Sequence, residues 1–324
     1  MKRTLIVMFA VLGLYLALTF SFSSRRENRY LDSEGRKESG LDYVKLEDGY
    51  TAYRIIGPDT GQVVIMIHGG TIPMCIWTDQ SRIFAESGYR VLLYDQYGRG
   101  NSDRVNKEYN RDLFTRQLKG LINKLKLDEP FDIIGPSFGG AIAVSFASKY
   151  PERVRSMILI SPALNIPGSD SPLNMPMRVV RVPLIGRVFF ETIMMNQIIE
   201  RGRQNVPGGI GSPCDSMFMK QFTFKGTHRG LYCKFRSDAY GDYLKQAKKA
   251  DRNVDHILLL RGKEDPEITE SMFDEIKREM PESEYVELED SGHSPAMDNA
   301  DLFNSILLSY LQKVDSGKNC DGKK

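Results

Sequence analysis

Short apolar runs recur along this chain, each followed by a stretch of helical periodicity. That alternation restricts the fold more than any other feature. The runs are QVVIMI, RVLLY, FDII, SMILI and HILLL, and an alternating one, EYVEL, comes last. A strand that is apolar at consecutive positions is one buried on both faces. The helical stretches lie around Trp77 to Ser87, Asn110 to Lys126, Gly139 to Tyr150, Glu267 to Met280 and Asp298 to Lys313. The second shows one apolar stripe of Leu113, Phe114, Leu118, Leu121, Ile122 and Leu125. Strands alternating with helices predict an α/β fold with a mostly parallel sheet covered on both faces. Upstream, LDYVKLEDGYTAYRIIG alternates around Asp48-Gly49, a hairpin signal that adds antiparallel strands at one edge.

The rhythm is lost between Ser161 and about Asp251, where Pro162, Pro167, Pro172, Pro176, Pro183 and Pro207 separate short pieces. The segment is far too long for a plain connection and is expected to be an inserted, mainly helical lid. The expected organisation is a body over residues 41–162 and 251–313, a lid over 163–250 and a disordered tail over 314–324. At 41% hydrophobic and 27% charged over 324 residues, the chain has material for one large core. The net charge of +2 and the lack of a recognisable motif exclude nucleic acid as an expected partner.

The start is different in character. A basic Lys2-Arg3 precedes an uncharged apolar run from Leu5 to Phe22, about the length that crosses a bilayer. The expectation is a membrane anchor over residues 1–22, with the membrane as a partner through this segment. A cleaved signal peptide, with Ser21-Phe22-Ser23 as a weak cleavage site and export of the body, is the alternative. Arg25, Arg26 and Arg29 follow the run, so the flanking charges do not set an orientation. Residues 23–40 read as a flexible tether. Of Cys75, Cys214, Cys233 and Cys320, Cys214 and Cys233 are near enough in sequence to be candidates for a pair; buried free thiols are the expected state. No spacing suggests zinc.

The chemistry centres on Gly135-Pro136-Ser137-Phe138-Gly139-Gly140, a G-x-S-x-G placed directly after a strand and before a helix. The turn is tight, so Gly135 and Gly139 stand where a Cβ would collide. The serine is lifted to the carboxyl edge of the sheet, beside a helix N-terminus that favours developing negative charge. A serine hydroxyl needs a base, and the chain has four histidines. His293, in the loop between the last strand and the last helix, reaches the same edge and is the expected base. His68 ends a buried strand and is expected to order its own loop. His256 precedes a strand and belongs to the opposite edge, and His228 is expected to be solvated in the lid, with a substrate contact as the alternative. Asp265 is the expected acid partner, with the adjacent Glu264 as the alternative. The expected oxyanion donors are the N–H groups of Phe138 and Gly70, with Thr71 as the neighbouring candidate.

The ordered set of His68-Gly69-Gly70, Asp95 with Gly98-Arg99-Gly100-Asn101-Ser102, Gly135-x-Ser137-x-Gly139-Gly140, Gly262-x-x-Asp265 and Gly292-His293-x-Pro295 resembles the α/β-hydrolase superfamily over about residues 41–313. The resemblance implies a Ser–Asp–His triad on a sheet of about eight strands, with a lid after the sixth. Thr71-Ile72-Pro73-Met74 departs from the HGGPG-type loop of prolyl aminopeptidases, and Ser137 stands where dehalogenase and epoxide hydrolase relatives carry aspartate.

The expected activity is hydrolysis of a small-molecule carboxylic ester through an acyl-enzyme, with no metal or organic cofactor. Met175, Met177, Phe189, Phe190, Met194, Met195, Met217, Phe218, Met219, Phe222 and Phe224 in the lid suggest an acyl-chain pocket for lipid-like or medium-chain esters, or else packing of the lid on the body. Amide, thioester or carbon–carbon bond hydrolysis on the same triad, and a non-catalytic binding protein of this fold, are the alternatives.

Overall fold

The computed structural model describes residues 2–127 and 130–317, and the side chains of these except at 16 and 18–25. Cys320 and residues 318–324 of the expected tail lie outside the described residues. Helices α1 (Lys2–Arg26) and α2 (Ser33–Glu38) lead into strands β1 (Asp42–Lys45), β2 (Tyr50–Ile56) and β3 (Val63–Ile67). Then come α3 (Thr78–Glu86), β4 (Arg90–Tyr94), α4 (Arg111–Lys124), β5 (Phe131–Pro136), α5 (Phe138–Ala147) and β6 (Val154–Ile160). Six helices follow before the next strand: α6 (Asn174–Val180), α7 (Ile185–Phe189), α8 (Met195–Gln204), α9 (Pro213–Gln221), α10 (Thr227–Arg236) and α11 (Leu244–Asn253). The chain closes with β7 (His256–Gly262), α12 (Glu270–Glu279), β8 (Glu284–Leu288), α13 (Pro295–Asp298) and α14 (Ala300–Asp315).

The eight strands form one sheet in the order β1-β2-β4-β3-β5-β6-β7-β8. From β4 to β8 neighbours are parallel, while β2 runs antiparallel to both β1 and β4. Side chains of a strand alternate between faces, and here both faces are dry. Ile65, Ile133, Leu159 and Leu259 point into a core shared with α4, α5 and the insertion. Val64, Ile134, Ile158 and Leu258 point into a second core with Phe84 of α3 and Phe303, Leu307 and Leu311 of α14. This double burial is why the strands read as unbroken apolar runs.

The insertion between β6 and β7 is helical, and it is fastened to the body. Cys75 and Cys214 form a disulfide across a sequence separation of 139, and Cys233 is a free thiol. The suggested Cys214–Cys233 pair and the free-thiol expectation for Cys75 and Cys214 are thus both corrected: the pairing joins the loop after β3 to α9, two segments that only the fold brings together. Met177, Phe190, Met194, Met195, Phe218 and Phe222 belong to the main core, so packing accounts for most of the insertion's large apolar residues. Between α6 and α7, Leu184 is held at φ 61° and ψ −58°, with Ile185 N–H donating to Pro183 O at 2.7 Å. This is a γ-turn of the strained hand.

The membrane expectation is corrected. Among the described residues no helix is long and apolar enough to cross a membrane. The far end of α1 is part of the fold: Arg26 Nη1 donates to Asn196 Oδ1 at 3.3 Å. Just beyond, the Glu27 carboxylate accepts the N–H of Gly226 at 3.0 Å and of His228 at 2.6 Å. The anchor over residues 1–22, and with it the membrane as a partner, is not retained. The stretch read as a tether carries α2, capped by Asp32 Oδ1 accepting Gly35 N–H at 2.9 Å.

Candidate active site

Ser137 stands between β5 and α5 with φ 49° and ψ −119°, a conformation that L residues rarely adopt. What holds it there is backbone packed without side chains. A Cβ on Gly135 would lie 2.6 Å from the Gly139 carbonyl carbon, and one on Gly139 would lie 2.6 Å from Ile67 O. Ser137 N–H donates to Ile160 O at 2.8 Å, so the turn is pinned to the end of β6. Phe138 begins α5 directly after the serine.

The loops after β7 and β8 meet at the same edge. A Cβ on Gly262 would lie 2.1 Å from Gly292 O, so only glycine lets the two approach. Gly292 N–H donates to Asp298 Oδ2 at 2.8 Å, which fixes the turn that carries His293. His293 Nδ1–H donates to Asp265 Oδ2 at 2.9 Å. Asp265 is also held by the N–H groups of Glu267 at 2.8 Å and Ile268 at 3.0 Å on Oδ1. Burial pushes its carboxyl up, but the bond from His293 and the other donors outweigh that and leave it below the usual carboxylate range. Asp265 rather than Glu264 therefore faces the ring. Ser137 Oγ and His293 share the edge, but among the described residues no hydrogen bond joins them. His293 Nε2 lies instead 3.4 Å from Glu267 Oε2.

The loop after β3 is held by a different set of bonds. His68 Nε2 accepts the N–H of Gln96 at 2.9 Å, so the ring proton sits on Nδ1, which donates to Gly69 O at 2.8 Å. Burial lowers His68 to about 3 and keeps it neutral. Gln96 Nε2 also donates to Gly69 O, at 3.2 Å. Across a trans peptide the N–H opposes the C=O. Pinning the Gly69 carbonyl therefore aims the Gly70 N–H the other way. The next carbonyl, Gly70 O, accepts from Arg99 Nε at 3.0 Å and from Lys234 Nζ.

Of the remaining histidines, His256 begins β7 at the opposite edge. His228 is buried rather than solvated, with Nδ1 2.8 Å from Glu191 Oε2. Sequence reasoning missed Glu267, Lys234 and Arg99. Lys234 did leave a signal. In Thr227, Leu231, Lys234 and Phe235 it occupies the buried stripe of α10, where a lysine is out of place. Its ammonium lies 4.5 Å from the Phe138 ring centroid, and burial holds its pKa well below the ordinary lysine value.

A strand–serine–helix elbow at the carboxyl edge of a doubly covered, mostly parallel sheet defines a class of hydrolases. The sequence pattern of the alpha/beta hydrolase family matches residues 64–306, and the chain belongs to that family. The chain is 26% identical over 282 residues to a 2-hydroxy-6-oxononadienedioate/2-hydroxy-6-oxononatrienedioate hydrolase of Paraburkholderia phymatum, covering 83% of this chain and 94% of that one. It is 36% identical over 151 residues to a 2-hydroxy-6-oxo-6-phenylhexa-2,4-dienoate hydrolase of Burkholderia cepacia, covering 45% of this chain and 51% of the relative. The crystal structure of an enol-lactonase from Burkholderia xenovorans superposes with a TM-score of 0.65 at 20% identity, covering 84% of this chain and 100% of that one. The chain is thus a hydrolase of the α/β fold.

Proposed function

We propose that the protein is a serine hydrolase that cleaves a carbon–carbon bond next to a ketone in a small carboxylic acid. Ser137 is the nucleophile, His293 the base and Asp265 the acid. The Phe138 and Gly70 N–H groups hold the oxyanion. His293 takes the Ser137 proton as the oxygen attacks the ketone carbon. The C–C bond then breaks, its electron pair leaving as a stabilised carbanion that takes the proton back from His293. Water hydrolyses the acyl-enzyme, releasing the second acid.

The observation that carries this reading over ester cleavage is the 26% identity to a dienoate hydrolase, which spans nearly the whole of that relative. A second feature suits an acidic substrate: Arg99 and Lys234 are buried beside the Gly69–Gly70 loop and form no ion pair among the described residues. An ester uses the same steps with an alcohol as leaving group, so carboxylic ester hydrolysis is the second reading.

The test is turnover of 2-hydroxy-6-oxo-dienoates, followed by loss of their dienolate absorbance, beside a series of p-nitrophenyl esters of rising chain length. Dienoate turnover that disappears in Ser137→Ala is expected. Brisk ester turnover with the dienoates untouched would overturn the carbon–carbon reading. A fluorophosphonate that still labels Ser137→Ala would overturn the nucleophile.

A further inference from the structure

The surroundings of His293 carry one carboxylate more than a triad requires. The inference drawn from it rests on the assignment of His293 as base to Ser137. Asp265 Oδ2 is 2.9 Å from Nδ1, and Glu267 Oε2 is 3.4 Å from Nε2. Nε2 is the atom that must accept the serine proton, and among the described residues Ser137 Oγ forms no hydrogen bond to it. Glu267 is no loose surface acid. Its N–H is bonded to Asp265 Oδ1 at 2.8 Å, and its carbonyl accepts from Ser171 Oγ at 2.8 Å. Its other carboxylate oxygen lies 3.5 Å from Arg201 Nη1 of α8, in the insertion.

Other groups also face this cluster. Asp298 of α13 holds the Gly292 N–H beside the ring. The Tyr240 phenol, from the insertion, is buried and neutral and feels the Glu267 charge. The charges that act on the ring are therefore the two carboxylates. Burial by itself pushes the imidazole down, but Glu267 and then Asp265 outweigh it and His293 is raised to about 9. An imidazolium that donates Nδ1–H to Asp265 and carries its second proton toward Glu267, 3.4 Å from Nε2, has no lone pair for the serine proton.

We propose that Glu267 is a positioning residue that holds His293 doubly protonated and engaged away from Ser137 in the resting enzyme, and that Arg201 of the insertion frees the ring by drawing the carboxylate off Nε2. When Glu267 turns to Arg201, the Nε2 proton passes to water and the neutral ring, still donating Nδ1–H to Asp265, presents its lone pair to the Ser137 hydroxyl. The insertion thereby sets the protonation of the base as well as covering the site.

The experiment is the pH dependence of fluorophosphonate labelling at Ser137 in the full chain, for wild type, Glu267→Gln and Arg201→Gln. Only the neutral ring activates the serine, so the wild-type rate rises with pH and levels off near His293's own value. Removing the Glu267 charge lowers that value. In Glu267→Gln the rise moves to more acidic pH, and the rate at pH 7 grows about tenfold for each unit of displacement. In Arg201→Gln, a largely exposed position, the rise moves the opposite way. A Glu267→Gln profile that coincides with wild type, with labelling confined to Ser137, overturns the role of Glu267 alone. Labelling that persists in Ser137→Ala overturns the triad and this inference together.

Discussion

Breaking the Cys75–Cys214 bond is the most informative perturbation of the fold. The bond closes a loop with a sequence separation of 139 between two buried residues. In the chain-entropy treatment a loop of that length corresponds to about 5 kcal/mol, and measured losses for native bonds are about 2–5 kcal/mol. A large domain shifts its melting midpoint by about 2–4 °C per kcal/mol. A fall on the order of 5–15 °C is therefore expected for Cys75→Ala/Cys214→Ala, or for the wild type under reductant. The assay is thermal unfolding with and without reductant, together with mass spectrometry of alkylated protein to count the free thiols. Cys75 lies five residues after Gly70, so fluorophosphonate labelling should slow along with the loss of stability. Equal midpoints under the two conditions, or native protein alkylated at both Cys75 and Cys214, would refute the reasoning.

Two other substitutions probe the site from its backbone side. A methyl group on Gly139 would meet Ile67 O at 2.6 Å and His68 O at 2.8 Å. Gly139→Ala should then cost about 1–3 kcal/mol of overpacking, seen in chemical denaturation, and slow Ser137 labelling by displacing the loop after β3; unchanged stability and rate would contradict the elbow geometry. Lys234→Met keeps the stem and removes a buried unpaired ammonium. Its stability should hold or rise, while turnover falls about tenfold for want of one donor on the Gly70 carbonyl, in the range of a neutral hydrogen bond. Steady-state kinetics beside a melting curve separates the two effects, and full turnover would show that Arg99 suffices.

The sheet was legible because its chemistry is local. Each parallel strand is apolar on both faces, so Val64-Ile65-Met66 or Leu258-Leu259-Leu260 announces itself without knowledge of its neighbours. The elbow was legible for the same reason, since Gly135, Ser137 and Gly139 all act within one turn. His293 and Asp265 followed from chain order, because loops after successive parallel strands gather at one edge. What was illegible depends on distant pairing. Nothing near Cys75 names Cys214 as its partner, and Glu267 looks like any acid ahead of a helix until His293 is set beside it. The apolar residues of the insertion carry no period that separates a pocket wall from a packing face, and the structure places Phe190 and Phe218 in the core. The leading apolar run misled because hydropathy measures composition alone, while Arg26 and Glu27, just beyond it, are docked on the insertion.

The insertion is fastened to the loop after β3 in three places: Cys214 to Cys75, Gln221 Nε2 to Thr71 O at 3.1 Å, and Lys234 to the Gly70 carbonyl. A roof nailed down beside the reactive hydroxyl cannot be raised from that side. Entry is expected on the far side, around α6 and α7, where the γ-turn at Leu184 supplies a ready crease. Traffic through such a crease sets a pace of its own, so loosening or stiffening residues 182–186 should alter how fast molecules come and go while the bond-breaking step keeps its rate.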